Sequence, residues 1–443
     1  MPVDGSLDIG DGPAAPPHPI RLVVTDDLRR SRLTVLFRLL LAIPHLVWVG
    51  LWGLAAFVLA FVVWLAILFE GKAPRVLHDF LATYVRYSTH VAAYVYLAGN
   101  PYPGFTGGSY PVDVEIDPPQ RQGRLGAAFR IVLAIPVLLL SFSLAGGTTV
   151  GAGTLSGVSF MTGGGGALAT AGFLGWFASL VRGRMPHGLR DLATYALGYG
   201  AQATGYVLLL TDRYPNSDPA VVEPAQALPL HSVRIEITDT LRRSRLTVFF
   251  RLLLTIPHFV WLTLWSVPAA LAVLAGWLIA LVTGRLPTAL HRFLAAFTRY
   301  AAHVYAFVFL VGGPFPGFVG AAGSYPVGLA IEPPQRQRRV VTLLRLFLAF
   351  PALLVAGAYW GTLSVVALLG WWYALFTGRM PEGLRNLGAA AIRYNGQVGA
   401  YVLLLTDRYP YAAPALHDGS VDERAAPTPV PPDPPEGTVV GSS

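Results

Sequence analysis

Cysteine is absent from this sequence, and charged residues are scarce. Without cysteine the chain can form no disulfide, no thiolate metal site and no CxxC redox centre. Asp, Glu, Lys and Arg make up 13% of the residues, whereas soluble proteins carry roughly 25%. A soluble fold of this size needs more charged surface than that. The scarcity of charge therefore argues against a soluble protein.

Lysine is also nearly absent, because Lys72 is the only lysine among 32 basic residues. The basic side chains are thus almost all guanidinium groups, which suit planar, bidentate contact with phosphate or carboxylate. Apolar residues, in contrast, are abundant: the set AVILMFWYC reaches 54%, and the mean hydropathy is +0.53. This composition predicts an integral protein of the cell membrane.

Both ends of the sequence are rich in proline and poor in large aliphatic residues. We expect residues 1–19 and 411–443 to be disordered tails, since they lack the apolar content that a core requires. Residues 1–19 contain no basic segment followed by an apolar one, so we expect no cleavable signal peptide.

Between these tails the chain is a tandem duplication. The segment Thr25 to His45 recurs at Thr238 to His258, with 18 of 21 positions identical, and YVLLLTDRYP occurs at both Tyr206 and Tyr401. The sequence predicts two membrane repeat units at 20–213 and 232–410, joined by a linker at 214–231.

Each half itself consists of two similar segments, so the chain contains four quarters that share the same order of sequence features. A short alternating strand precedes an arginine cluster, an apolar run that contains a proline, a basic turn and a final helix. The strands are expected at IRLVV, VDVEI, VRIEI and VGLAI, beginning at Ile20, Val112, Val233 and Val327. We expect these strands to pair across quarters in a small cytoplasmic sheet that ties the halves together.

The apolar run of each quarter is interpreted as a transmembrane hairpin. A helix breaker follows every proline by 9–11 residues, and the second quarter carries about 20 extra residues at that place. The tips are expected at Gly53, Gly146 to Gly166, Pro268 and Gly361. The fold class is then an all-α polytopic membrane protein with eight spans and both termini cytoplasmic. Twelve spans is the alternative, if the amphipathic final helices also cross.

The motif order identifies a resemblance. The strand, arginine cluster, LLLAIPH, aromatic apolar run, TGR-x-P and AYV-x-LLTDRYP together resemble domain of unknown function 4389, a family of bacterial integral membrane proteins. The resemblance covers residues from about 20 to 410 and predicts two tandem copies. The second and fourth quarters depart from the motif, because Val137 and Ala352 replace the histidine of IPH. The family implies a membrane location and no activity.

Four arginines lie inside the apolar runs, one or two turns beyond the outer clusters: Arg38, Arg130, Arg251 and Arg345. An unpaired guanidinium in a membrane costs roughly 2.5–3.5 kcal/mol at mid-depth. These arginines are candidate ligands for lipid phosphate, and a protein partner or simple snorkelling are the alternatives.

Three histidines repeat between the halves at an offset of 213. They are His45, His78 and His90, matched by His258, His291 and His303. A metal or proton role is a weak candidate, because the spacing is not that of a ligand set and duplication copies any three residues. We expect neither a metal nor a cofactor.

No nucleophile elbow, phosphate-binding loop or dinucleotide fingerprint occurs. A lipid-modifying enzyme would need an acid/base pair, and the matched Asp212 and Asp407 are each followed by an arginine, which favours ion pairing. The sequence favours a non-enzymatic protein that binds anionic membrane lipid or acts as a membrane scaffold, with unknown protein partners and no nucleic acid. The alternative is a secondary transporter or channel built from two parallel repeats.

Overall fold

The computed structural model describes residues 17–146, 166–219 and 231–416, so most of both tails and residues 147–165 and 220–230 lie outside the described residues. The first half contains β1 (Ile20–Val24), α1 (Arg32–Glu70), α2 (Arg75–Val95), β2 (Val112–Ile116), α3 (Arg124–Ala128), α4 (Arg130–Ala145), α5 (Ala167–Arg182) and α6 (His187–Val207). The second contains β3 (Val233–Ile237), α7 (Arg245–Phe249), α8 (Arg251–Thr283), α9 (Thr288–Val308), β4 (Val327–Ile331), α10 (Arg339–Thr377) and α11 (Glu382–Val402).

The apolar runs form long continuous helices, and the hairpin prediction is wrong for three of the four quarters. Helices α1 and α10 have 39 residues each and α8 has 33, and they pass without interruption through Gly53, Gly361 and Pro268. A glycine costs a helix only about 1 kcal/mol, which a helix of ten turns tolerates. Gly53 also has a packing role, because a Cβ at this position would approach the Tyr84 hydroxyl at 2.9 Å.

In the second quarter the long helix occurs in pieces, and most of the expected tip lies in residues 147–165, outside the described residues. The backbones of Gly146, at the end of α4, and Gly166, before α5, touch each other. Both pieces pack on α6 as α10 packs along α11. Helices α4 and α5 therefore take the place of one long helix with an insertion at its middle.

The helices that follow the basic turns are uniform. Helices α2, α6, α9 and α11 have 21 residues each, and each begins directly after a proline. Proline is favoured at the start of a helix because its missing N–H would be unpaired there in any case. Their apolar sides pack under the long helices, so these helices form a second layer.

The strands pair within each half only. β1 pairs with β2 and β3 with β4, both antiparallel, with Ile20 opposite Ile116 and Val233 opposite Ile331. Pairing across quarters is confirmed, but the expectation that the strands tie the halves together is wrong. The halves are joined instead by α10, which packs against α4 and α5.

The chain thus forms three layers. Helices α1, α4, α5, α8 and α10 lie outermost, the four 21-residue helices lie beneath them, and the two β-ribbons cover the far side of that second layer. Ribbon β1–β2 contacts α2 and α6, and ribbon β3–β4 contacts α9 and α11.

Within each half the two long helices run in opposite directions. A tryptophan near the end of each long helix donates a hydrogen bond to a backbone carbonyl near the start of the other. These bonds join Trp64 to Ala127, Trp176 to Val35, Trp277 to Thr342 and Trp371 to Val248, at 2.9–3.0 Å. Each end of the long-helix pair therefore brings together one arginine cluster and one basic turn.

Candidate lipid-binding surface

The four arginines of the apolar runs are buried and contact protein. Arg38, Arg130, Arg251 and Arg345 are 1–4% exposed. Arg38 donates to the backbone oxygens of Tyr94 (2.7 Å), Gly99 (3.1 Å) and Asn100 (3.2 Å), which lie at the C-terminal end of α2. Arg251 makes the matching bonds to the backbone oxygens of residue 307, in the last turn of α9, and of residues 312 and 313, which follow it.

In the even quarters the corresponding arginines donate to side chains as well as to backbone oxygens. Arg130 donates to Thr211 O and to the side chain of Gln122, and Arg345 donates to Thr406 O and to the side chains of Gln337 and Asp407. Each guanidinium also stacks on an aromatic ring, 4.1–4.8 Å from the ring centre.

These arginines close the C-terminal ends of the 21-residue helices, where carbonyl groups lack helical partners and the helix dipole favours a cation. These carbonyl groups and side chains are the protein partners that the sequence analysis gave as an alternative to lipid phosphate. Because these residues are 1–4% exposed and their guanidinium groups are bound by protein, exposed arginines are the better candidates for contact with phosphate.

The six repeated histidines are all buried, and one histidine in each half lies beside a tyrosine hydroxyl. His45 Nδ1 lies 2.6 Å from the Tyr87 hydroxyl, and His258 Nδ1 lies 2.8 Å from the Tyr300 hydroxyl. His45 also stacks on Phe105, with ring centres 4.3 Å apart. His78 and His291 are buried near the starts of α2 and α9.

His90 and His303 show how the halves have diverged. His90 Nε2 lies 2.7 Å from Asp113, which also accepts a bond from Arg86. Burial acts to raise the pKa of Asp113, but these hydrogen bonds outweigh it and lower that pKa. Gly328 occupies the position of Asp113 in the second half, and burial together with Arg299 lowers the pKa of His303 to about 4.

Because only one half has this carboxylate, the structure argues against a proton relay that both halves share. Across residues 17–146, 166–219 and 231–416, no group of three or more His, Asp or Glu residues is arranged to hold a metal ion.

Two buried ion pairs are not among the residues that the sequence singles out. Arg30 and Asp26 lie 2.7 Å apart and are almost fully buried, and Arg243 and Asp239 repeat the pair at 2.8 Å. The signal was present, because each aspartate precedes its arginine by four residues in both halves. The two ion pairs fix the turns that lead into α1 and α7.

Large apolar side chains are exposed on one side of the molecule. Among the described helices, all such side chains belong to the outermost helices or to the short α3 and α7, apart from Val76. On α1 they include Leu40, Leu54, Phe57 and Phe69, which are 63–77% exposed. Helices α6, α9 and α11 expose none. A continuous apolar face of this size indicates a membrane or protein contact.

Exposed basic residues bracket this apolar face at both ends of each long-helix pair. The backbone bridges Arg29–Arg184, Lys72–Arg121, Arg242–Arg379 and Arg285–Arg336 join an arginine cluster to a basic turn at each end. All eight of these residues are exposed. The structure therefore combines an apolar face with basic groups along its ends. Helices α1, α8 and α10 are long and apolar enough to cross a membrane.

The family model for domain of unknown function 4389 (DUF4389) matches residues 32–106, 164–217, 245–317 and 339–413, which together are more than half of the chain. The chain belongs to this family. DUF4389 matches four segments, one in each quarter, rather than the two tandem copies that the sequence comparison of the halves suggested. No curated protein and no solved structure matches the chain.

Proposed function

We propose that this DUF4389 protein is a non-enzymatic membrane protein that binds anionic lipid and acts as a scaffold on one leaflet. The observation that carries the proposal is the apolar face of the long helices with exposed arginines at both ends. Juxtamembrane arginines attract anionic headgroups by about 1 kcal/mol each. The exposed apolar side chains enter the hydrocarbon region, and the ribbons on the opposite side face water.

The length of the helices supports a position along the leaflet rather than across the bilayer. From Leu39 to Phe69, α1 contains no charged residue, and this stretch is about 46 Å long at 1.5 Å per residue. To fit a hydrocarbon core of about 30 Å it would have to tilt by about 50°, beyond the range of roughly 0–40° found for spanning helices.

The charges of the second and third layers support the same orientation. Ribbon β1–β2 carries Arg21, Asp113 and Glu115, and it contacts the middle of α2 through Arg86 and His90. If α1 crossed the bilayer upright, this charged ribbon would lie beside it at membrane depth. With the long helices along the leaflet, the ribbon lies in water.

This placement replaces the expected eight spans and keeps one part of the sequence-based topology. The arginine-bearing ends of all long helices lie at one membrane surface, which we assign to the cytoplasmic side because positive segments are retained there.

The proposal predicts a preference for anionic lipid that depends on the exposed arginines. Purified protein titrated with mixed micelles, followed by tryptophan fluorescence, should bind phosphatidylglycerol more tightly than phosphatidylcholine, and added salt should reduce the difference. The pair Arg121→Gln and Arg336→Gln should weaken the phosphatidylglycerol response by roughly 10- to 30-fold, given about 1 kcal/mol for each arginine.

The matched control removes the same charge from the ribbons, at Arg21→Gln and Arg234→Gln, which occupy equivalent positions in β1 and β3. This variant should bind as the wild type does. Equal binding of both lipids by the wild type, or equal weakening by both variants, would contradict the proposal.

A further inference from the structure

A groove lies between the two halves of the molecule, on the side of α5 and α10. Its volume is about 980 Å³, at the upper end of the range of about 300–1,000 Å³ that is typical of ligand sites. Its walls are formed by the end of α5, the start of α6, the first half of α10, parts of α11 and the segment that follows α11.

The walls of the groove are mostly apolar and partly open. Phe177 and Val181 of α5 are 50% and 74% exposed, and Phe347 of α10 is 80% exposed. These side chains belong to the same apolar face that the proposed function places in the leaflet. An acyl chain can therefore enter the groove from the membrane without crossing water.

Two arginines line the groove, Arg182 at the end of α5 and Arg338 immediately before α10. Both are exposed. Neither guanidinium has a hydrogen-bond or ion-pair partner among the described residues, in contrast to the four buried arginines. The carboxylate of Asp407, which also lines the groove, is bound by Arg345 and by the backbone N–H of Arg338.

The repeats show that both arginines are specific to this groove. The residue that precedes the basic turn is Arg182 in the second quarter, but Glu70, Thr283 and Thr377 in the others. The N-cap of the long helix is Arg338 in the fourth quarter, but Ser31, Gly123 and Ser244 in the others. Neither position needs arginine for the fold, and both arginines occur where the second and fourth quarters meet.

We propose that this groove binds one anionic phospholipid, whose phosphate contacts Arg182 and Arg338 and whose acyl chain lies along Phe177 and Phe347. Arginine suits this role because a guanidinium can contact a phosphate with two hydrogen bonds. The groove site rests on the proposed function and identifies the lipid class and the two arginines that select it.

Native mass spectrometry of the full chain, purified with phosphatidylglycerol and phosphatidylcholine, tests the site. The variant Arg182→Thr with Arg338→Ser introduces residues that other quarters carry at the same positions, so we expect it to fold. The wild type should retain one phosphatidylglycerol, and this variant should retain it about 30-fold less well, at about 1 kcal/mol for each arginine.

Three comparisons complete the experiment. The control Arg75→Thr with Arg292→Ser removes two exposed arginines near the starts of α2 and α9, neither of which lines the groove, and it should retain the lipid. Arg182→Lys with Arg338→Lys should retain it partly, since an ammonium makes no bidentate contact. Glycerol phosphate without an acyl chain should not displace the lipid, whereas displacement would show a free-phosphate site and overturn the proposal.

Retention of the lipid by the Thr/Ser variant would also overturn the groove site, even if the wild type prefers phosphatidylglycerol micelles. If the wild type showed no preference for phosphatidylglycerol micelles over phosphatidylcholine micelles, that result would instead contradict the proposed function. The two failures are therefore distinguishable.

Discussion

Arginine occurs in two different environments in this protein, and burial distinguishes them. Arg38 and Arg251 are 1–2% exposed and bind the carbonyl groups at the ends of α2 and α9. Arg182 and Arg338 are exposed and line an apolar groove. The sequence predicts the positions of the first pair, since each lies inside an apolar run. It does not show the acceptors, because these lie about 60 residues further along the chain.

The buried arginines are expected to contribute to stability. Arg251→Gln removes the side-chain donor to the carbonyl groups of Gly312 and Gly313, and each buried group left unpaired costs about 1–3 kcal/mol. We therefore expect thermal unfolding of the detergent-solubilised protein at a clearly lower temperature. Arg292→Gln, on the exposed side of α9, should change the free energy of unfolding by no more than about 0.5 kcal/mol. An unchanged unfolding temperature for Arg251→Gln would show that the carbonyl contacts contribute nothing.

At the scale of elements, the sequence predicts the repeat, the strands and the final helices, and it fails at the middle of the apolar run. Alternation identifies the strands, and a proline after each basic turn indicates where each 21-residue helix begins. Gly53, Pro268 and Gly361 recur at one place in the repeat, and this recurrence predicts a turn there. A glycine costs a helix about 1 kcal/mol and a proline about 3 kcal/mol, and the packing of the buried side of each helix against the second layer outweighs these costs.

Gly361 offers a direct test of the continuous helix. It lies inside α10, is exposed, and has no atom within 4 Å of the position where a Cβ would lie. Gly361→Ala should therefore stabilise the protein by about 0.5–1 kcal/mol through helix propensity. Gly361→Pro should destabilise it by about 3 kcal/mol.

Differential scanning calorimetry of the two variants measures both effects. A hairpin turn at Gly361 would give the opposite order, with proline tolerated and alanine neutral or destabilising.

At the scale of the whole molecule, the layer order supports the proposed orientation of the protein at a membrane. The apolar face of the outermost helices, the basic residues at both ends of these helices and the charged ribbons on the far side are all consistent with one leaflet. Composition and hydropathy predict the membrane location. Composition and hydropathy do not distinguish a helix that crosses the membrane from one that lies along its surface, because both need the same apolar residues. Which of the two arrangements occurs depends on what packs against the other side of the helix.

The central claim is that both ends of each long helix lie at the same membrane surface. Single-cysteine labelling tests this claim most directly, because the native chain has no cysteine. Ser31→Cys and Glu70→Cys place exposed thiols at the two ends of α1, and Ala55→Cys places one on its exposed apolar side. With a membrane-impermeant maleimide, we expect the cysteines at both ends of α1 to react in inside-out vesicles and neither of them to react in intact cells. Ala55→Cys should stay unlabelled in both preparations. Labelling of the two ends from opposite sides of the membrane would show that α1 crosses the bilayer and would contradict the account.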